Sequence, residues 1–277
     1  MTSPIRLDRL SALLEGVAPR VTVLQTEIGT SSVTFGPSSR QLLHLYLVAQ
    51  GQASLSIPHA TCLTINAPAI VVCRADTAHS LATVSGGPFE GLLCAKAFLD
   101  GPVAPLLLRE FTQPLVVALD QAGASLNHVM HLIEAELLEP RCGQPALLER
   151  AGEILFIGLL RHLVAHPRAS SGLFNGLEDP RIARALVAMH TAPQENWTLD
   201  KLAGEAGMSR TSFAVKFRAI VNYPPGKYLT QLRLSIALRA VQSGLGLKRA
   251  ARDSGYASPT TLSRALSREA RSHAIEE

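Results

Sequence analysis

The strongest constraint on what this chain can fold into is a pattern that occurs twice near its C-terminal end. Leu199, Ala203, Gly207, Ser209, Phe213 and Phe217 recur as Leu247, Ala251, Gly255, Ser258, Leu262 and Leu266, offset by 48 residues up to the glycine and by 49 after it. Each copy reads as a short helix, a glycine-bearing turn and a second helix that opens at serine. The small alanine lets the second helix approach closely, glycine supplies left-handed backbone at the turn, and serine accepts from the free N–H groups of the next helix. The pattern therefore predicts a helix-turn-helix, twice. Between the copies, Pro224-Pro225 stops one helix and starts another, because proline is tolerated in a first helical turn. That connecting helix, Pro225 to Gln242, would be roughly 27 Å long at ~1.5 Å per residue. It can hold two recognition helices about one DNA turn apart, where ~34 Å separates successive major-groove faces.

Charge agrees with that reading once it is divided along the chain. Residues 1–177 carry 11 Lys+Arg against 13 Asp+Glu, whereas residues 178–277 carry 15 against 9, so a net −2 precedes a net +6. Only five of the 26 basic residues are lysine. Arginine is suited to phosphates and base edges, which places a nucleic-acid surface in the C-terminal third. With 17% charged and 47% apolar residues, the chain is excluded from the disordered and collagen-like classes.

The N-terminal half has a different grain. Arg20 to Ile28, Leu42 to Val48, Ala53 to Ile57, Cys62 to Ile65, Ile70 to Cys73, His79 to Val84 and Glu90 to Ala97 are short and β-branched or apolar, with Gly, Pro, Ser and Asn between them. Strands of this length and spacing predict a small barrel or sandwich, with turns at Gly51, Pro58, Pro68, Gly86, Gly87 and Pro88. After Pro102 the periodicity turns helical: Val103 to Leu108, then a pair of amphipathic helices over 123–139 and 145–165 with a connector short enough to make them antiparallel neighbours. His166 to Gly176 has the Pro, Ser and Gly of a linker. The expected fold is α+β: a β-barrel with a helical pair over 1–170, then an all-α domain of two helix-turn-helix units over 177–277.

At this point the residues resemble the C-terminal DNA-binding domain of the AraC/XylS family of transcription regulators. The resemblance runs from Thr198-Leu-Asp-Lys-Leu-Ala-Gly-Glu-Ala-Gly-Met-Ser209 through Phe213, Phe217, Pro225-Gly-Lys-Tyr-Leu229, Arg233 and Ala237 to Ala250-Ala-Arg-Asp-Ser-Gly-Tyr-Ala-Ser258 and Ser263-Arg264. It implies groove-facing positions at Thr211, Ser212, Ala214 and Val215 behind Ser209, and at Pro259, Thr260, Ser263 and Arg264 behind Ser258. Ala214 and Val215 suit thymine methyls or shape, and Arg264 can bond guanine O6 and N7 together. Arg210, Lys216 and Arg218 are phosphate candidates, with a solvated basic face as the alternative. Three departures stand out: Asn222 where the family usually has glycine, Leu232 in place of a common tryptophan, and an ending, Ser272-His-Ala-Ile-Glu-Glu277, without the usual Gly-x-x-Pro. The N-terminal half looks like the cupin-like sensor half of one branch of the same family, from Leu7-Asp-Arg-Leu-Ser-Ala-Leu-Leu through His44-Leu-Tyr-Leu to Ala78-His79.

The rival reading is a metal-dependent cupin enzyme. A working cupin centre usually needs His-x-His, and here His44 is followed by Tyr46, which argues against catalysis. His44 and His79 are the expected effector-binding residues, for a small molecule or a divalent metal. His44, Cys73, Asp76 and His79 are the metal candidates, each also readable as an ordinary core or surface residue. The sequence assigns no definite cofactor and leaves a small-molecule effector or a divalent metal open. The four cysteines contain no C-x-x-C pair, and the N-terminus has no uninterrupted apolar segment of an export signal, so the expectation is a reduced, cytoplasmic protein with no membrane partner. Expected partners are double-stranded promoter DNA, RNA polymerase and a second copy of the chain.

Overall fold

The structure is a computed structural model and describes residues 8–24, 32–83, 92–119 and 124–276. The strand ends expected at 25–28, 84 and 90, and the turn at Gly86, Gly87 and Pro88, lie outside the described residues. Packing divides the chain into two units, one formed by Pro19–Asp100 with Phe111–Leu163, the other by 8–18, Gly101–Glu110 and 164–276.

The first unit holds two antiparallel sheets. β1 (Pro19–Leu24), β8 (Leu92–Leu99), β3 (Leu42–Val48), β6 (Ala69–Arg74) and β9 (Leu115–Ala118) lie side by side in that order. β2 (Ser32–Phe35), β7 (His79–Thr83), β4 (Gln52–Ser56) and β5 (Leu63–Asn66) form the second sheet. Tyr46, Val48, Val71, Cys73 and Cys94 from the first sheet meet Ala53, Leu55, Ile65 and Leu81 from the second in one core. β3 is buried at all seven positions, because its other face is covered too. On that face Leu43 and Val21 both pair with Ala97, and Gly152 lies so close to Val21 that a Cβ there would come within 2.7 Å of it. Gly152 belongs to α4 (Gln144–Ala165), which with α3 (Ala124–Leu138) makes the expected helical pair.

Two strands escaped the sequence pattern. β9 was hidden in a region read as helical after Pro102, yet Leu115–Ala118 pairs with β6 from Ala69↔Ala118 to Val72↔Leu115. β2 is four residues long, and its identity as a strand comes from pairing with β7 rather than from local propensity.

The second unit is helical. α1 (Ser11–Val17), α2 (Ala104–Leu108) and a 3-10 turn (Arg109–Phe111) precede α5 (Leu173–Glu178) and α6 (Pro180–Thr191). α7 (Leu199–Glu205), α8 (Arg210–Val221), α9 (Pro225–Gln242), α10 (Leu247–Ser254) and α11 (Pro259–Glu276) follow. The segment expected as linker is therefore not all coil. Leu173, Phe174 and Leu177 are buried, and the Glu110 carboxylate accepts from the Leu173 N–H at 2.8 Å, which starts α5 where composition alone suggested a flexible run. Arg9 closes the other end of α5 by donating from Nη1 to the carbonyls of Leu177 and Glu178, at 3.0 and 2.7 Å.

Candidate nucleic-acid interface and sensor cluster

The two repeats fold into the same hydrogen-bond pattern. In the first, Gly207 takes φ +61° and the Met208 N–H reaches back to the Ala203 carbonyl at 2.9 Å. In the second, Gly255 takes φ +79° and the Tyr256 N–H reaches Ala251 O at 2.8 Å. Ser209 then caps α8 by accepting from the Ser212 N–H at 3.3 Å, and Ser258 caps α11 by accepting from the Thr261 N–H at 3.1 Å. Phe213, Phe217 and Leu262 are fully buried, so each recognition helix is anchored by its apolar stripe. At the end of α8, Asn222 stands in the left-handed region at φ +65° and donates its N–H to Arg218 O, the role the family gives to glycine.

The opposite faces are open. Arg210, Thr211, Ser212, Val215 and Arg218 are exposed on α8 and Ala214 is half-buried. Val215 is 67% exposed, the most exposed large apolar side chain described. Pro259, Thr260, Ser263 and Arg264 are all exposed on α11, and Arg264 forms no ion pair with any described residue. Lys216 is placed differently from its neighbours. Its Nζ lies 2.6 Å from Asp179 Oδ2, and Asp179 is itself the cap of α6, accepting from the N–H groups of Arg181 and Ile182 at 3.0 Å. Burial would raise the Asp179 carboxyl, but Lys216 and those two N–H groups outweigh it and hold the group below the usual carboxylate range. Lys216 thus ties α8 to α6. Arg210 makes only an exposed 3.7 Å contact with Asp200.

Arg233, singled out in the sequence only through the family resemblance, organises the two repeats. From α9 it donates Nε to the Pro193 carbonyl at 2.8 Å and Nη2 to Glu195 O at 2.6 Å. The same loop touches the second turn: a Cβ on Gly255 would lie 2.8 Å from Gln194 Cα and 2.9 Å from Pro193 O. The linker helix, the loop before the first repeat and the turn of the second therefore meet at one point.

Between the two sheets, His44 and Tyr46 on β3 of the first face His79 on β7 of the second. His79 donates Nδ1–H to the Thr77 carbonyl at 2.6 Å, which leaves Nε2 as an acceptor in the neutral ring. The Tyr46 hydroxyl lies 2.6 Å from that nitrogen and donates to it, and His44 Nδ1 lies 3.3 Å from it. Phe35 covers His44 with ring centroids 4.0 Å apart, and the Lys96 ammonium stands 5.2 Å over the Phe35 ring. Burial, with the neighbouring His79 and Lys96, lowers the His44 pKa to about 4, and burial lowers His79 as well, so both imidazoles are neutral near pH 7. Burial pushes the Cys73 and Cys94 thiols up to about 12, which keeps them out of thiolate chemistry.

Of the metal candidates, His44 and His79 meet through their ring nitrogens, and Cys73 is the cross-strand partner of His44. Asp76 is exposed and paired with Arg74. Among the described residues no three His, Cys, Asp or Glu side chains converge as a metal centre would need. Tyr46, Phe35, Thr77 and Lys96 complete the cluster, and no sequence motif marks them as site residues. Tyr46 was within reach, since strand period two puts it on the face of His44, but Phe35, Thr77 and Lys96 arrive from other strands and loops.

A family model described as Cupin matches residues 8–165, and one described as Helix-turn-helix domain matches residues 202–272. A putative AraC-like transcription regulator of Streptomyces lividans is 32% identical over 203 residues, which cover 72% of this chain and 66% of that protein, just under two thirds of its length. The RCS-specific HTH-type transcriptional activator RclR of Escherichia coli strain K12 is 27% identical over 269 residues, 95% of this chain and 94% of that one. Unsaturated fatty acid bound wild-type ToxT from Vibrio cholerae strain SCE256 superposes over 90% of this chain and 89% of its own, with a TM-score of 0.37 and 16% identity. With the cupin match covering more than half of its length and a helix-turn-helix domain following it, this chain belongs to the AraC-like family of transcription regulators.

Proposed function

We propose that the chain binds promoter DNA through α8 and α11 and alters transcription by RNA polymerase when an effector occupies its cupin half. The observation that carries this reading is the duplicated recognition helix: two identically capped helices, each anchored by buried apolar side chains and each with an open outer face. Ser209, Arg210, Thr211, Ser212, Ala214, Val215 and Arg218 form the first contact set, with Arg218 and Arg210 as phosphate contacts. Ser258, Pro259, Thr260, Ser263 and Arg264 form the second, with Arg264 reading a base edge. Lys216 contributes through the Asp179 tie. Effector recognition is assigned to His44 and His79, whose neutral nitrogens can exchange the internal hydrogen bond with Tyr46 for one to a ligand. A role as regulator rather than catalyst fits the relatives, and no helix among the described residues is long and apolar enough to cross a membrane, in keeping with a cytoplasmic site of action.

Self-association is assigned to the helical pair, where Leu132, Leu138 and Ile154 are 43, 53 and 53% exposed. The test of the whole reading is binding of the full chain to genomic DNA fragments at rising salt. A specific fragment bound at low salt, with affinity falling by orders of magnitude toward moderate ionic strength, supports it. Absence of duplex binding at low salt removes it.

A further inference from the structure

The helical unit contains a cavity that the recognition surface does not use. It has a volume of about 150 Å³ and is lined from the 101–110 segment, from the residues just before and at the start of α5, and from the junction of α8 with α9. Leu106, Leu173 and Val221 supply apolar wall, and Tyr223 and Tyr228 supply ring faces. A volume of roughly 150 Å³ is enough for a benzene-sized body.

The charged groups on this wall are not paired with each other. Glu110 is already satisfied, because its carboxylate receives the N–H groups of Leu173 and Phe174, although burial keeps its pKa above the usual range. It also reserves its place: a Cβ on Gly172 would lie 2.7 Å from Glu110 Oε2. Arg109 donates one N–H to Gln231 Oε1 at 2.9 Å and rests 5.8 Å from the centre of the Tyr223 ring. Lys227 stands over the same ring at 5.4 Å. Neither cation forms an ion pair with an acidic side chain among the described residues. Two cations without an ion pair to any described residue thus flank Tyr223, Arg109 on the wall of a cavity whose one carboxylate is occupied by backbone donors and Lys227 outside its lining.

We infer that this cavity is a second ligand site, taking a small monocarboxylic acid with a compact apolar or aromatic body, its carboxylate on Arg109 and its body between Tyr223, Tyr228 and Leu173. A guanidinium can grip a carboxylate through two parallel N–H groups, and the planar fork is held in position by Gln231. The wall includes Val221, Asn222 and Tyr223, the end of the first recognition helix, so a ligand here bears on α8 directly. Its effect on DNA affinity is limited to the difference in its affinity for the two arrangements of that helix end. The inference rests on the geometry of the helical unit and not on the effector role of His44 and His79.

The experiment is titration of the full-length chain with benzoate, followed by calorimetry, with benzamide as the uncharged probe of the same shape. In parallel, ring-labelled tyrosine resonances are followed by NMR, since the chain has four tyrosines and Tyr46 lies in the barrel. Expected are benzoate binding, at least about tenfold weaker binding of benzamide and of benzoate to Arg109→Gln, and shifts at Tyr223 and Tyr228 with Tyr46 unmoved. Arg109→Met, checked for an unchanged thermal melt, guards against glutamine retaining a weak contact. Equal binding of benzoate and benzamide, or shifts confined to Tyr46, overturns the assignment. So does absence of benzoate binding, and an Arg109→Gln loss of affinity that is uniform on specific and random DNA would then make Arg109 a backbone-phosphate contact.

Discussion

Replacing each of the two turn glycines by alanine separates two costs that the repeat makes easy to confuse. Gly207 and Gly255 occupy equivalent positions with φ of +61° and +79°, so alanine meets the same backbone penalty at both. Holding a residue with a Cβ in the left-handed region costs about 1–2 kcal/mol. The surroundings differ. Around Gly207 an added Cβ meets nothing nearer than Arg184 Nη1 at 3.9 Å, whereas at Gly255 it meets Gln194 Cα at 2.8 Å, Pro193 O at 2.9 Å and Arg233 Nε at 3.0 Å. The first two are backbone atoms and cannot swing away, and overpacking of this kind adds about 1–3 kcal/mol. Gly207→Ala should therefore lose about 1–2 kcal/mol and Gly255→Ala about 2–5 kcal/mol. Urea unfolding followed by Trp197 fluorescence is the assay, because the single tryptophan sits in this unit with its indole N–H on Ala192 O at 2.8 Å. Gly255→Ala should also push the second turn away from the loop that Arg233 holds and so weaken DNA binding beyond what stability explains. Two variants destabilised equally, to within about 0.5 kcal/mol, would refute the steric part of this reasoning.

Arg264→Ala should cost about 1–3 kcal/mol of DNA affinity and relax preference at one base pair, read from binding to a set of single-base operator variants. An equal loss on every sequence would move Arg264 to the phosphate class. Lys216→Met should lower stability while leaving the salt dependence of DNA binding unchanged, since its ammonium is committed to Asp179; a shallower salt slope would return it to the interface. Acid should destabilise the protein: His44 and His190 both have folded pKa values lowered to about 4 by burial. The unfolded chain therefore takes up protons first, and stability falls by up to about 1.4 kcal/mol per pH unit per histidine as pH drops from about 6.5 toward 4. A flat stability profile across that window would contradict their neutral burial. Ile154→Arg and Leu138→Arg should shift sedimentation toward the monomer with the melt unchanged, and an unaltered dimer would reassign the association face.

How much of this was legible beforehand depends on the range of the interactions involved. The two helix-turn-helix units were written locally: alanine, glycine and serine act within a few residues of themselves, and the hydrogen bonds from Met208 to Ala203 and from Tyr256 to Ala251 repeat as the spacing repeats. The strongest strands were legible for the same reason, since β3 is a short run that His44 alone interrupts with a clearly polar side chain, the pattern expected of a strand buried on both faces. What the chain could not show locally were pairings between distant segments. Ser32–Phe35 and Leu115–Ala118 became strands because β7 and β6 offered them partners, and α5 formed where a linker was expected because Glu110 and Arg9 reach its ends from far along the chain. Among basic residues of similar spacing, Lys216 was tied to Asp179 while Arg264 was left open, a distinction set by which neighbour lies within reach. The sequence by itself determined the local grammar of helix, turn and cap, through forces that act over one or two turns of chain. Only the tertiary structure decided which charged and polar groups meet, because hydrogen bonds and ion pairs act over a few ångströms between residues that can be a hundred or more positions apart.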